Sequence, residues 1–214
     1  MFQIKETHAE WKHRIFNDHG FLRAIYPNFW SIDQELYRSA QPSPSLLLKF
    51  KNDGIKTIIN LRGSRDDLVN QMERRVCKNL KLNLIEFKLH SRGAPTLDQI
   101  NYSQELFNKI EYPALIHCKS GADRTGIMAT LYLIHKGIDV KKAKNQLSFK
   151  YLHIRYAKSG ILDHFFDSFI SYSSEGGKLS FWDWSKIIYD PNKLKNSFKL
   201  NHFQNLLDKI LGRE

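Results

Sequence analysis

Long apolar runs are missing from this 214-residue chain: no stretch approaches the ~18 consecutive apolar residues that a membrane span needs. Cysteine is scarce. Cys77 and Cys118 are too few for a disulfide framework and lack the clustered spacing of a zinc site, so a reduced, cytoplasmic protein is expected. The first residues have no apolar core, with Lys5, Glu6, His8 and Glu10 standing where a secretory signal would need one, and secretion is not expected. The nine histidines show neither HxH nor HExxH spacing, which leaves a metal site without a motif. Internal repeats, heptads and low-complexity tracts are lacking too. Acidic residues are outnumbered: 22 Asp and Glu face 33 Lys and Arg, a net charge of +11. That surplus favours anionic partners, whether phosphorylated substrates, nucleic acid or an acidic membrane surface, and does not choose among them.

The apolar residues that are present alternate between two periods. Residues 1–34 read as an ordered N-terminal arm packed on the core, with a short helix over Glu10 to Asn17. A strand is expected over Glu35 to Ser39. Ser43 can cap a helix that has Pro44 in its first turn and Leu46, Leu47 and Phe50 on its buried face. Ile55 to Leu61 is β-branched and apolar on both faces, as an interior strand would be. A helix over Asp66 to Leu80 and a strand over Asn83 to Leu89 follow. After the loop from His90 to Pro95, Thr96 caps a helix running to Ile110. Ala114 to His117 is a further strand, Arg124 to Lys136 a helix closed by Gly137, and helices fit Val140 to Phe149 and Ile161 to Tyr172. Strands alternating with helices at this spacing predict an α/β fold on a parallel sheet, with ligands bound at the carboxyl ends of the strands. Residues 35–172 would form the catalytic domain. Residues 173–214 would be a linker and a C-terminal helical appendage, in which Pro191 splits two helices.

The decisive stretch is Ile116-His117-Cys118-Lys119-Ser120-Gly121-Ala122-Asp123-Arg124-Thr125-Gly126. A cysteine followed six residues later by an arginine is weak evidence alone, because the chain holds eleven arginines. The context makes it specific: an apolar strand precedes it, a glycine lies within it, and a helix starts at the arginine, where a phosphate-binding loop belongs. Cys118 would sit below inward-facing backbone N–H groups and beside a helix N-terminus, both of which favour an anion. Such surroundings can lower a thiol pKa from ~8.5 to ~3.5–7.5. Lys119, Ser120, Gly121, Ala122 and Asp123 would cradle the phosphate, and Arg124 offers a planar fork for two of its oxygens. Thr125 can donate its hydroxyl to the sulfur and ease its departure. His117 would brace the cysteine from behind.

HCKSGADRTG resembles the phosphate-binding loop of the cysteine-dependent protein tyrosine phosphatases, in particular the dual-specificity type. LYRSAQPSP and GIKTIINLRG resemble the entry strands of bacterial and atypical members, and the likeness spans Leu36 to Tyr172. It implies a central, mostly parallel four- or five-stranded sheet flanked by helices. It also implies a phosphocysteine intermediate and neither metal nor organic cofactor.

One departure concerns the general acid. The family usually supplies an aspartate from a loop well ahead of the cysteine, and here that loop, His90 to Pro95, has no carboxylate. Asp123 is the first candidate, since phosphoinositide phosphatases of the myotubularin and Sac types also carry an Asp before the loop arginine. Asp98 is the second and His90 the third. Asp98 has a plainer explanation in the first turn of its helix, where it meets the helix dipole. Lys119 resembles the lysine of lipid phosphatases whose loop reads CKxGxxR, and Arg92 could add charge from the facing loop.

Arg62 and Arg38 each read either as braces of the loop or as surface residues. Cys77 reads as a small buried helix residue. Lys141 to Lys158 holds six Lys or Arg and no acidic residue. It is a solvated basic face or a docking surface for anionic lipid, with Phe181, Trp182, Trp184, Ile187 and Ile188 as further anchors or as packing. The expected substrate is a phosphorylated protein, with a lipid phosphate as the alternative and a non-catalytic phosphate-binding module as the second. Peripheral contact with an anionic membrane belongs to the same reading, nucleic acid is not expected, and the oligomeric state stays open.

Overall fold

The computed structural model describes residues 6–12, 15 and 26–198. Those within Met1–Leu89 and Ile110–Thr125 form one compact unit, and those within His90–Lys109 and Gly126–Glu214 form another.

In the first unit, helix α1 (His8–Lys12) precedes strands β1 (Trp30–Ser31) and β2 (Leu36–Ala40), helix α2 (Pro44–Asn52) and strand β3 (Thr57–Asn60). Helix α3 (Leu68–Leu80) and strand β4 (Asn83–Glu86) follow. Helix α4 (Leu97–Lys109) belongs to the second unit, and strand β5 (Ala114–Cys118) returns to the first. Among the described residues the strands form one five-stranded sheet in the order β1-β2-β5-β3-β4. It is parallel except for β1, which pairs antiparallel with β2 at the edge. Helices flank the sheet, as expected.

Strand β5 is central, with β2 and β3 on either side; His117 registers with Ser39 and Asn60, and Cys118 with Ala40. All five residues of β5 and all four of β3 are buried. That explains their unbroken apolar character, which a sheet covered on both faces demands. Leu47 and Phe50 of α2 and Val69, Met72, Val76 and Cys77 of α3 pack with Ile58 and Leu115 into one core cluster. Ser43 caps α2, its side chain accepting from the Leu46 N–H, and Pro44 stands in the first turn as its fixed φ favours.

Two expectations need correction, and the arm gains a strand. The N-terminal arm contributes β1, a strand of two residues, too short to leave any periodicity. The expected helix over Glu10 to Asn17 is observed as α1, starting earlier; residues 13, 14, 16 and 17 lie outside the described residues. The helix expected over Val140 to Phe149 is broken into α6 (Val140–Ala143), which follows helix α5 (Asp123–His135), and 3₁₀ turns at Lys144–Gln146 and Phe149–Tyr151. The cause is a close approach. A Cβ on Gly126 would lie 2.6 Å from the Leu147 side chain and 3.0 Å from the Gln146 carbonyl oxygen. The segment therefore hugs its neighbour instead of completing a regular helix, and three lysines spaced within one turn add repulsion.

The second unit continues with α7 (Ile161–Ser174), α8 (Phe181–Ile187) and α9 (Pro191–Ser197), Pro191 dividing the last two as expected. Residues 199–214 of the expected appendage lie outside the described residues. Phe165, Phe169, Phe181, Trp184 and Tyr189 form an aromatic cluster with ring centroids 4.8–6.0 Å apart. Phe181 and Trp184 are thus packing residues rather than surface anchors, whereas Ile187 and Ile188 remain exposed. No helix among the described residues is long and apolar enough to cross a membrane.

Candidate active site

Strand β5 ends on Cys118, and the next four residues form the loop that opens α5. The loop's shape is set from outside. The Lys119 carbonyl accepts from the Gln41 N–H at 3.2 Å, and the Ser120 carbonyl from Asn28 Nδ2 at 3.0 Å. Arg38 Nη2 donates to the carbonyls of Gly121 at 2.8 Å and Ala122 at 3.4 Å. Four successive carbonyls are therefore held outward. A trans peptide points its N–H opposite to its C=O, so the amides of Ser120, Gly121, Ala122 and Asp123 are turned inward. Such a run of convergent N–H groups is an anion cradle.

Gly121 is required at its position. Its φ is +71°, and an added Cβ would lie 2.7 Å from the backbone of Ser39 and Ala40. Both conformation and space admit only glycine.

Cys118 lies at the bottom, 2% exposed. Burial pushes its thiol pKa up, but the Arg124 guanidinium and, after it, the nearby Thr125 hydroxyl and backbone N–H overcome this. The net direction is down, and the charge of Asp123 works against it. Among the described residues, Arg124 Nε is buried and without a hydrogen-bond partner. A buried guanidinium donor left open beside a cradle of amides suits an incoming oxyanion.

Behind the loop lies a buried polar network. Glu73 of α3, with 0% exposure, accepts from Gln41 Nε2 at 2.8 Å and Asn60 Nδ2 at 2.6 Å. His117 Nε2 lies 2.9 Å from Glu73 Oε1. Arg62 is buried, not a surface turn residue: Nη1 donates to Gln41 Oε1 at 2.8 Å. The bonds that converge on Glu73 and Gln41 fix side chains that would otherwise be costly to bury.

The expected residues thus fall into two groups. His117, Cys118, Lys119, Ser120, Gly121, Ala122, Asp123, Arg124, Thr125 and Arg62 all belong to the first unit. His90, Arg92 and Asp98 belong to the second: His90 is exposed in its loop, Arg92 is half-buried, and Asp98 is exposed in the first turn of α4. Asp123 is buried in the first turn of α5. Cys77 is buried, and burial with the nearby Glu73 charge pushes its thiol pKa up, so it stays protonated. Asn28, Gln41, Asn60 and Glu73 carried no recognisable signal. Arg38 did, as a charged residue inside a strand.

Fold and loop together are those of the cysteine-dependent phosphatases of the dual-specificity type. The family model described as DSP-PTPase phosphatase fused to NAD+ kinase matches residues 30–159, and the chain belongs to that family. Among solved structures, TpbA of P. aeruginosa aligns with a TM-score of 0.52 and 19% identity, over 66% of this chain and 84% of that one. TpbA in complex with pTyr gives 0.50 and 18%, over 67% and 91%. PTPMT1 gives 0.50 and 15%, over 69% and 99%. At such identities the likeness is one of fold.

Proposed function

We propose that the chain hydrolyses phosphomonoesters through a phosphocysteine intermediate formed on Cys118. The thiolate attacks phosphorus, and the inward amides with Arg124 hold the non-bridging oxygens as charge shifts to them. The leaving oxygen departs with a proton from an acid, for which Asp123, Asp98 and His90 are the candidates. Water then attacks the phosphocysteine, releasing inorganic phosphate, while the Thr125 hydroxyl stabilises the departing thiolate. Lys119 adds positive charge at the loop. No step requires a metal or an organic cofactor. The supporting observation is the run of four outward-clamped carbonyls directly after Cys118, with the Arg124 guanidinium favouring the thiolate.

The first substrate class is a phosphorylated protein, in keeping with the pTyr bound by TpbA. A lipid phosphate is the second reading, favoured by Lys119 directly after the nucleophile and by the exposed lysines at 141 and 142. A nucleophilic thiol also suits a compartment that keeps cysteines reduced, which supports a cytoplasmic setting for the activity.

Hydrolysis of an aryl phosphate should survive EDTA, be blocked by vanadate and vanish in Cys118→Ser. Phosphate retained on the denatured wild-type enzyme after rapid quenching would identify the intermediate, and activity surviving Cys118→Ser would overturn the assignment. Parallel assays on phosphopeptides and phosphoinositides decide between the two substrate classes.

A further inference from the structure

The stretch after α6 turns twice in quick succession, and what it hides differs sharply from what it shows. Tyr151, His153 and Ala157 point inward, at 7%, 2% and 0% exposure, while Phe149 and Tyr156 stand 77% and 62% exposed and Leu152 37%. Leu152 has φ +65°, a left-handed conformation unfavourable for any residue with a Cβ. His153 anchors the turn from inside, its Nε2 2.6 Å from Asp163 Oδ2. An anchored loop thus presents two aromatics and a leucine to solvent, which hydration alone opposes.

Along the segment itself the charge has one sign. Residues 141–158 contain Lys141, Lys142, Lys144, Lys150, Arg155 and Lys158 and no Asp or Glu. Two described carboxylates face the stretch: Asp163, which is buried and holds His153, and Asp167, which pairs with Lys144 and lies 4.0 Å from Arg155. Asp139 is occupied capping α6. Lys141, Lys142 and Lys150 remain exposed on the solvent side.

We infer that residues 149–156, with Lys141 and Lys142, form a docking face for an anionic lipid bilayer. Phe149, Leu152 and Tyr156 would enter the interfacial region while the basic groups meet lipid phosphates and carboxylates. The combination favours a bilayer over a nucleic acid, because an aliphatic leucine at the tip cannot stack on bases. The face deepens the lipid branch of the proposed function and rests on it only for its purpose, since binding is read without turnover.

The test is co-sedimentation of the full chain with phosphatidylcholine vesicles and with phosphatidylcholine–phosphatidylserine vesicles, at low and high salt. Binding is expected only to the phosphatidylserine vesicles and should weaken with salt. Each basic residue removed in Lys141→Ala and Lys142→Ala should weaken it about fivefold. Phe149→Ala with Tyr156→Ala should abolish it while aryl phosphate hydrolysis is retained. The inference falls if phosphatidylserine adds nothing, or if the variants bind vesicles as the parent does. It also falls if the variants lose only self-association or only the binding of a single-stranded oligonucleotide. Loss of hydrolysis with vesicle binding intact would count against the catalytic reading and leave the docking face standing.

Discussion

Nη2 of Arg38 stands 2.8 Å from the carbonyl oxygen of Gly121, and both residues are buried. This one contact couples an interior strand to the turning point of the catalytic loop. Arg38→Met would keep the length and remove the side-chain donor to the Gly121 and Ala122 carbonyls, leaving that of Gly121 buried without it. A loss of about 1–3 kcal/mol is expected in urea unfolding. Weaker competitive inhibition by inorganic phosphate should accompany it, because the inward amides depend on those carbonyls.

Glycine substitutions separate backbone strain from crowding. Gly121→Ala meets fixed backbone at 2.7 Å and also has to adopt a positive φ, so phosphate binding should be lost along with stability. Gly54→Ala shares the positive φ but finds nothing within 4 Å. It should cost only about 1–2 kcal/mol and leave activity intact. Thermal unfolding and aryl phosphate turnover, measured on both variants, make the comparison.

The pH profile follows from the sulfur's surroundings. The folded thiol pKa of Cys118 is lowered, so thiolate is lost only as pH falls through that lower value. The acid limb of kcat/KM should therefore lie below the ~8.5 of a free cysteine. Asp123 opposes this shift. Asp123→Asn should accordingly move the acid limb to still lower pH on an aryl substrate. The same ionisation stabilises the fold at pH above the unfolded thiol value, and the benefit is lost as pH falls through the folded value. Cys118→Ser should abolish that part of the pH dependence of unfolding.

The proton donor can be found with substrates that need one. Alkyl phosphates have poor leaving groups, so replacing the acid should slow them by about a hundredfold or more and spare aryl phosphates. Asp123→Asn, Asp98→Asn and His90→Ala tested side by side should single out one position. Equal and small losses at all three would leave every candidate unsupported.

Glu73→Gln would leave one carboxamide oxygen where two carboxylate oxygens now serve Gln41, Asn60 and His117. At least one buried donor loses its acceptor, for about 1–3 kcal/mol in chemical denaturation.

What could be read from the sequence was local. The cap at Ser43, the doubly buried β3 and β5, and the loop between Cys118 and Arg124 announce themselves through neighbours a few residues apart. Asn28, Arg38, Gln41 and Glu73 act on partners 13 to 92 positions away, and no local periodicity displays such pairings. Arg62 shows the limit well: as a residue after a strand it passed equally for a surface turn, and only the fold reveals its burial against Gln41. The basic stretch after Val140 misled in the other direction, because its apolar spacing suits a helix that the contact at Gly126 forbids.

The donors that hold the loop open come from Asn28, Arg38 and Gln41, segments that meet the loop only once the sheet has assembled. Until then Cys118 is an unremarkable mercaptan, mostly protonated at neutral pH. Folding itself arms the enzyme, so an incompletely folded chain would be spared both premature chemistry and easy oxidation. The alkylation rate of that single sulfur would then report how much of the population has finished folding.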